Sequence, residues 1–286
     1  MKTVNVEKLG VIGAGTMGSG IAQTFAMAKF PVRIQDLRQD ALSKALHTIR
    51  RSLNRLVDRQ KITPDSASEA FGRIETTTRV EDLADRTLVV EAIVEDIEIK
   101  SALLKRLDEV CPSDSIFASN TSSISLTKLA ASSARPERVI GMHFFNPVPM
   151  MQLVEIIRAL QTSDAVCERI TELTRSIGKT PRISKDSYGF VVNRVLVPMV
   201  NEAINCVYEG LANPEDVDEM MKLGANHPMG PLSLGDLIGL DIVLDIMETL
   251  YSGFDDPKYR PSPLLKQMVD AGYLGRKTGR GFFRYG

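Results

Sequence analysis

Hydrophobic residues first come in short runs separated by stretches of helical spacing, and later in helical spacing alone. Residues 8–12 form an apolar run of strand length. Residues 19–29 follow with Ile21, Ala22, Phe25 and Ala26 on one helical face. A second strand is predicted over 32–35. A long amphipathic helix is predicted over 39–61, its stripe made of Leu42, Ala45, Leu46, Ile49, Leu53, Leu56 and Val57. Thr63-Pro64-Asp65 opens a helical return to Gly72, so 38–72 reads as a helical insert. Residues 87–93 are nearly continuous in apolar side chains, the pattern of a strand buried on both faces. A helix over 96–109 comes next, followed by strands over 115–118, 138–142 and 152–157. A helix over 164–177 and a last strand over 180–184 complete this half.

The pattern changes near Lys185. Residues 188–210 predict one long helix with Pro198 as a kink. Further helices are expected from Asn213-Pro214-Glu215-Asp216 and over 232–238, 241–250 and 263–271. The alternation of strand and helix predicts an α/β domain over 1–185, a doubly wound parallel sheet. An all-helical second domain is expected over 186–286.

The joint between the first strand and helix is Gly13-Ala14-Gly15-Thr16-Met17-Gly18. Strand, glycine turn and helix in that order form the Rossmann-like dinucleotide fingerprint. Gly13 makes the tight turn, Gly15 admits a pyrophosphate to the backbone, and Gly18 lets the helix pack on the strand. The free amides at the helix start favour the phosphate charge. The second strand ends at Asp36, 23 residues after Gly13. A carboxylate there accepts from the ribose hydroxyls and repels a 2′-phosphate, which points to NAD. Arg38 two residues on leaves NADP open.

Ser119-Asn120-Thr121-Ser122-Ser123-Ile124-Ser125 follows a predicted strand, where open sheets bind ligands. Helix N-capping accounts for one or two of these hydroxyls, but not for all of them. Glu95 and Lys100 open the preceding helix. They read either as plain charge pairing at a helix start or as a reach toward the cofactor. His143 stands at the end of another strand, and Glu155 lies on the next one. Oxidising an alcohol with a nicotinamide needs a base for the hydroxyl proton, a hydride acceptor, and donors for the developing oxygen charge. His143 suits the first task, with Glu155 fixing its tautomer. Ser122 and Asn193 are candidate donors.

Composition narrows the rest. Lys and Arg total 35 against 36 Asp and Glu, so net charge −1 predicts no general attraction to nucleic acid or membrane. Residues 38–61 carry seven basic side chains and two acids, a local balance of +5 that reads either as a solvated helix face or as a landing site for a phosphorylated handle such as coenzyme A. Three scattered cysteines and three histidines make no metal spacing and no disulfide framework, so no metal is expected. Too little chain precedes the first strand for a signal or transit peptide. A cytoplasmic protein is therefore expected.

Six motifs carry a resemblance. They are Gly13–Gly18, Ser119–Ser125, Gly-Met-His-Phe-Phe-Asn-Pro-Val-Pro over 141–149, Gly-Phe-Val-Val-Asn-Arg over 189–194, Asn-His-Pro-Met-Gly-Pro over 226–231, and Gly-Arg-Lys-Thr-Gly-Arg-Gly over 275–281. Together the chain resembles the 3-hydroxyacyl-CoA dehydrogenase family, of the bacterial 3-hydroxybutyryl-CoA type. The resemblance implies reversible NAD-linked oxidation of an L-3-hydroxyacyl-CoA and a homodimer formed largely through the helical domain. It implies His143 as base with Glu155 as partner, and Ser122 and Asn193 on the substrate oxygen. It also implies Asp36, Glu95, Lys100, Ser122, Asn146 and Lys277 on the cofactor, and Ser52 and Arg59 on coenzyme A. Two positions depart from it: Arg59, where relatives often have lysine, and Tyr188, where many have proline. A dehydrogenase for a free hydroxyacid, or a non-catalytic nucleotide-binding member of the fold, are the alternatives.

Overall fold

The computed structural model describes residues 8–286, and their contacts divide between a unit ending at Asp186 and a second over Ser187–Gly286. In the first, β1 (Leu9–Ile12), α1 (Thr16–Met27), β2 (Val32–Gln35), α2 (Gln39–Asp58), α3 (Pro64–Gly72) and β3 (Ile74–Thr77) come in order. They are followed by β4 (Leu88–Glu91), α4 (Ile97–Val110), β5 (Ile116–Ser119), α5 (Leu126–Ala130), β6 (Val139–Phe144), β7 (Leu153–Arg158), α6 (Asp164–Ser176) and β8 (Thr180–Lys185). The strands form one sheet in the order β3-β2-β1-β4-β5-β6-β7-β8. The doubly wound expectation holds. The order runs outward in both directions from β1 and β4, which opens a crevice at the carboxyl edge between them.

The sheet is not wholly parallel. β6 and β7 pair antiparallel, with His143 opposite Glu155, whereas every other neighbour pair is parallel. The cause is chain length. Residues 145–152 hold no helix, and a parallel return needs a crossover of about a dozen residues or more. The antiparallel return sets Glu155 beside His143. The edge strand β3 is an addition to the predicted set. Its Ile-Glu-Thr-Thr sequence is short, polar and partly exposed, so it carries no apolar run to announce it.

Helices α1, α2, α3 and α6 bury Ile21, Phe25, Leu42, Ile49, Leu53, Ala70 and Ile170 against one face of the sheet. Each of the larger apolar side chains adds roughly 1.5–3 kcal/mol. Helix α3 starts as its sequence predicts: the Thr63 hydroxyl accepts from the Ser66 amide, and Pro64 takes the first helical position.

The second unit is helical, with α7 (Val192–Tyr208), α8 (Pro214–Ala225), α9 (Pro231–Ile238), α10 (Leu240–Phe254) and α11 (Pro263–Asp270). Its core gathers Val197, Val200, Ile204, Leu232, Val243, Met247, Leu250 and Leu265. The predicted helix from 188 begins later. Gly189 (φ +70°) and Phe190 (φ +48°) are left-handed, so regular helix starts only at Val192. Pro198 lies inside α7. The buried Asp236 carboxylate accepts from the Phe282 and Phe283 amides and the Tyr285 hydroxyl, which anchors the C-terminal stretch to α9.

Candidate active site

The glycine turn is shaped by close approach. Gly13 has φ +98°, and a Cβ there would come within 2.6 Å of the Ala92 carbonyl oxygen beyond β4. A Cβ on Gly18 would run into the Gly13 carbonyl oxygen. Around Gly15 there is open space instead. Gly15 is the N-cap of α1, with no side-chain cap and no acid in the first turn, so the amides at this helix start are left for an anion.

A cavity of about 940 Å³ opens here, walled by Gly13, Ala14, Gly15, Thr16, Asp36 and Val94, among others. At the end of β2, one Asp36 oxygen accepts from the Ala14 amide at 2.9 Å and the other from the Arg38 amide at 3.0 Å. Arg38 and Lys44 also line the cavity. Open backbone at Gly15, unclaimed helix amides and a fixed carboxylate at the second strand's end fit a dinucleotide. Within the motif, Gly18 is buried and Met17 packs on the core, so their contribution is to shape the turn.

Farther along the same edge, β6 delivers His143. Its Nδ1 lies 2.8 Å from Oε2 of Glu155, and both residues are buried. The Phe145 ring centroid stands 4.5 Å from that of the imidazole. The side-chain oxygen of Asn120, after β5, accepts from the Phe144 amide at 2.9 Å, which ties the polar segment to the histidine strand. Asn146 is exposed and precedes Pro147 through a cis peptide bond. The buried Lys179 ammonium donates to the carbonyls of Val148 and Met151, closing the loop behind it.

The hydroxyl-rich segment is organised by Glu95. Oε1 of Glu95 accepts from the Thr121 hydroxyl, from the Ser122 and Ser123 amides at 2.9 and 3.1 Å, and from the Ser123 hydroxyl. Burial pushes this carboxyl up, but the Lys100 charge and these hydrogen bonds outweigh it and hold Glu95 below the usual glutamate range. The Ser122 hydroxyl forms no hydrogen bond among the described residues. Lys100 is placed away from the cavity wall. Its ammonium is buried between both oxygens of Glu91, at 2.9 and 2.7 Å, and Glu95, at 3.4 Å. Sequence reasoning passed over Glu91. A glutamate closing an apolar strand and a lysine in the first turns of the following helix was the available signal.

Matches to known proteins cover nearly the whole chain. The 3-hydroxyacyl-CoA dehydrogenase NAD binding domain matches residues 8–187, and the C-terminal domain of the same family matches 189–285. The chain belongs to the 3-hydroxyacyl-CoA dehydrogenase family. A probable 3-hydroxybutyryl-CoA dehydrogenase of Deinococcus radiodurans is 55% identical over 278 residues, which are 97% of this chain and 100% of that protein. The 3-hydroxybutyryl-CoA dehydrogenase of Clostridioides difficile is 52% identical over 97% of this chain and 99% of its own length. Among solved structures, (S)-3-hydroxybutyryl-CoA dehydrogenase from Ralstonia eutropha superposes with TM-score 0.96 at 51% identity, covering 99% of this chain and all of that one.

The remaining family positions stand as follows in this 3-hydroxyacyl-CoA dehydrogenase. Ser52 is half-buried on α2, and Arg59 is the exposed C-cap of that helix. The basic charge of α2 is only partly absorbed: Lys44 pairs with Asp40, and Arg50 lies over the Phe71 ring. In the second unit, Asn193 is half-buried in the first turn of α7, and Lys277 pairs with Asp241. No group of His, Cys, Asp and Glu among the described residues is arranged to hold a metal. No helix among them is long and apolar enough to cross a membrane.

Proposed function

We propose that this NAD-dependent dehydrogenase catalyses the reversible oxidation of an L-3-hydroxyacyl-CoA with a short acyl chain, of the 3-hydroxybutyryl type, to the 3-ketoacyl-CoA. The buried His143–Glu155 pair, at the same sheet edge as the dinucleotide-shaped cavity, carries this reading. NAD, when bound, supplies a nicotinamide carbon that accepts the hydride. The Gly13–Thr16 backbone holds the pyrophosphate, and Asp36 the ribose. Glu155 accepts from Nδ1–H of His143, which leaves Nε2 as the basic nitrogen. That nitrogen takes the substrate hydroxyl proton and returns it in the reverse direction. The Ser122 hydroxyl donates to the substrate oxygen as charge develops on it. The basic face of α2, with Ser52 and Arg59, receives the phosphates of coenzyme A. The relatives' names support the acyl-CoA substrate.

A homodimer through the second unit is also proposed. It is supported by Val195, Leu211, Met220 and Leu223, which are 63–78% exposed there. Sedimentation at a single monomer mass would overturn it.

The test follows nicotinamide absorbance with acetoacetyl-CoA, with NADH and NADPH in parallel, for the wild type and His143→Gln. His143→Gln is expected to lower turnover by roughly two powers of ten or more while NAD still binds. An active His143→Gln enzyme would sink the mechanism, and no wild-type turnover would sink the substrate assignment.

A further inference from the structure

Two routes run from one buried carboxylate to the turn that carries Ser122. Glu91 closes β4 and is 2% exposed. On the first route, the Ser119 hydroxyl donates to its Oε1, and the Thr121 amide donates to that same hydroxyl oxygen at 3.2 Å. On the second, Lys100, itself 1% exposed, bridges Glu91 to Glu95. Glu95 then gathers Thr121, Ser122 and Ser123. The Ile93 amide donates to the remaining Glu91 oxygen at 3.2 Å, so the strand end carrying the network is itself fixed.

The Lys100 ammonium donates to both Glu91 oxygens and forms an ion pair with Glu95. At 1% exposure the ammonium is enclosed by these two carboxylates. Its link to the turn runs through Glu95. Burial pushes the Glu95 carboxyl up, and the Lys100 charge is the largest of the interactions that hold it low, beside the turn's own hydrogen bonds. A neutral Glu95 would accept more weakly from the two amides and two hydroxyls that shape the turn.

We propose that Glu91 is a positioning residue: acting through Ser119 and through Lys100–Glu95, it sets the Thr121–Ser123 turn and hence the Ser122 hydroxyl. Lys100 then serves the same end. This deepens the proposed function, since it rests on Ser122 donating to the substrate oxygen.

Two measurements on the full chain test it. In the first, kcat with acetoacetyl-CoA and NADH is compared for Glu91→Gln in the wild-type and Ser122→Ala backgrounds. The expected loss is roughly tenfold in the first background and under about twofold in the second, because coupled residues are not additive. In the second, amide exchange at Ser122 and Ser123 is expected to speed up in Glu91→Gln while the β4 and β5 amides stay protected. Should Glu91→Gln fail to fold, Glu91→Gln/Lys100→Met removes both charges and is held to the same criteria. Equal losses of kcat in the two backgrounds, or unchanged exchange at Ser122 and Ser123, overturn the proposal. An active His143→Gln enzyme would instead overturn the underlying mechanism, whatever the exchange result.

Discussion

Nδ1 of His143 and Oε2 of Glu155 meet at 2.8 Å because the two residues are register partners across the antiparallel β6–β7 pair. Directly opposed residues share a sheet face with Cβ atoms about 5 Å apart, close enough for a carboxylate to reach an imidazole. The pair is therefore set by the strand pairing itself and needs no flexible loop. Glu155→Gln presents an amide that can offer a donor to Nδ1 and favour the other tautomer. It is expected to lower kcat by roughly a hundredfold or more. NAD affinity should stay within about twofold, since nothing at the glycine turn changes. Steady-state rates beside a binding titration check this, and a fall in affinity as large as the fall in kcat would contradict it.

Asp36 holds the Ala14 and Arg38 amides and still has lone pairs that face the cavity. Replacing it with alanine removes the proposed ribose acceptor and the negative charge together. Asp36→Ala is expected to weaken NAD by roughly tenfold and NADP by less, with Arg38 and Lys44 on the same wall to meet a 2′-phosphate. Titration with both nucleotides decides it. An equal loss for the two would mean that Asp36 only braces the turn.

Glu95 links the site to acid stability. Its carboxyl sits below the ordinary 4.5: burial works against this, but Lys100 and the turn's donors prevail. The unfolded chain therefore takes up this proton at a higher pH than the folded one. The contribution is complete well above pH 4.5 and is lost as pH falls through that value and lower. Melting temperature against pH is expected to show the wild type ahead of Glu95→Gln at neutral pH, with the gap closing in acid. A gap that stays constant with pH would refute it.

Arg59 ends α2 in the open, on a helix rich in cations. Arg59→Glu is expected to raise KM for an acyl-CoA roughly tenfold, the equivalent of about 1.4 kcal/mol. The same acyl group on a short thiol should show no such change. A parallel rise for both substrates would place Arg59 outside the coenzyme A contact.

Much of this was legible because strong local rules act on short stretches. The β1–α1 turn announces itself by glycines with a steric purpose, and α3 by Thr63 and Pro64. Elements set by distant partners were harder to read. β3 exists because β2 offers it an edge, and its own Ile-Glu-Thr-Thr shows little preference. The antiparallel return of β7 could have been read from the short link 145–152. Glu91 and Lys100 look like ordinary helix-start charges until β5 brings Ser119 alongside. The strand-end glutamate and early-helix lysine signal a charge pair, but its burial is a tertiary fact. The late start of α7 depends on the left-handed turn at Gly189 and Phe190, which apolar spacing does not reveal.

Gly20, on α1, touches the loop that follows the histidine: a Cβ there would lie 2.8 Å from Cβ of Val148. Val148 is in turn held by its carbonyl on the Lys179 ammonium, 2.7 Å away. The dinucleotide-binding segment is thus not an interchangeable cassette. A β1–α1 module grafted from another dehydrogenase would fit only if it carried glycine at this one buried position. Cofactor engineering by segment swapping in this scaffold has its crossover points limited by a contact made outside the nucleotide turn.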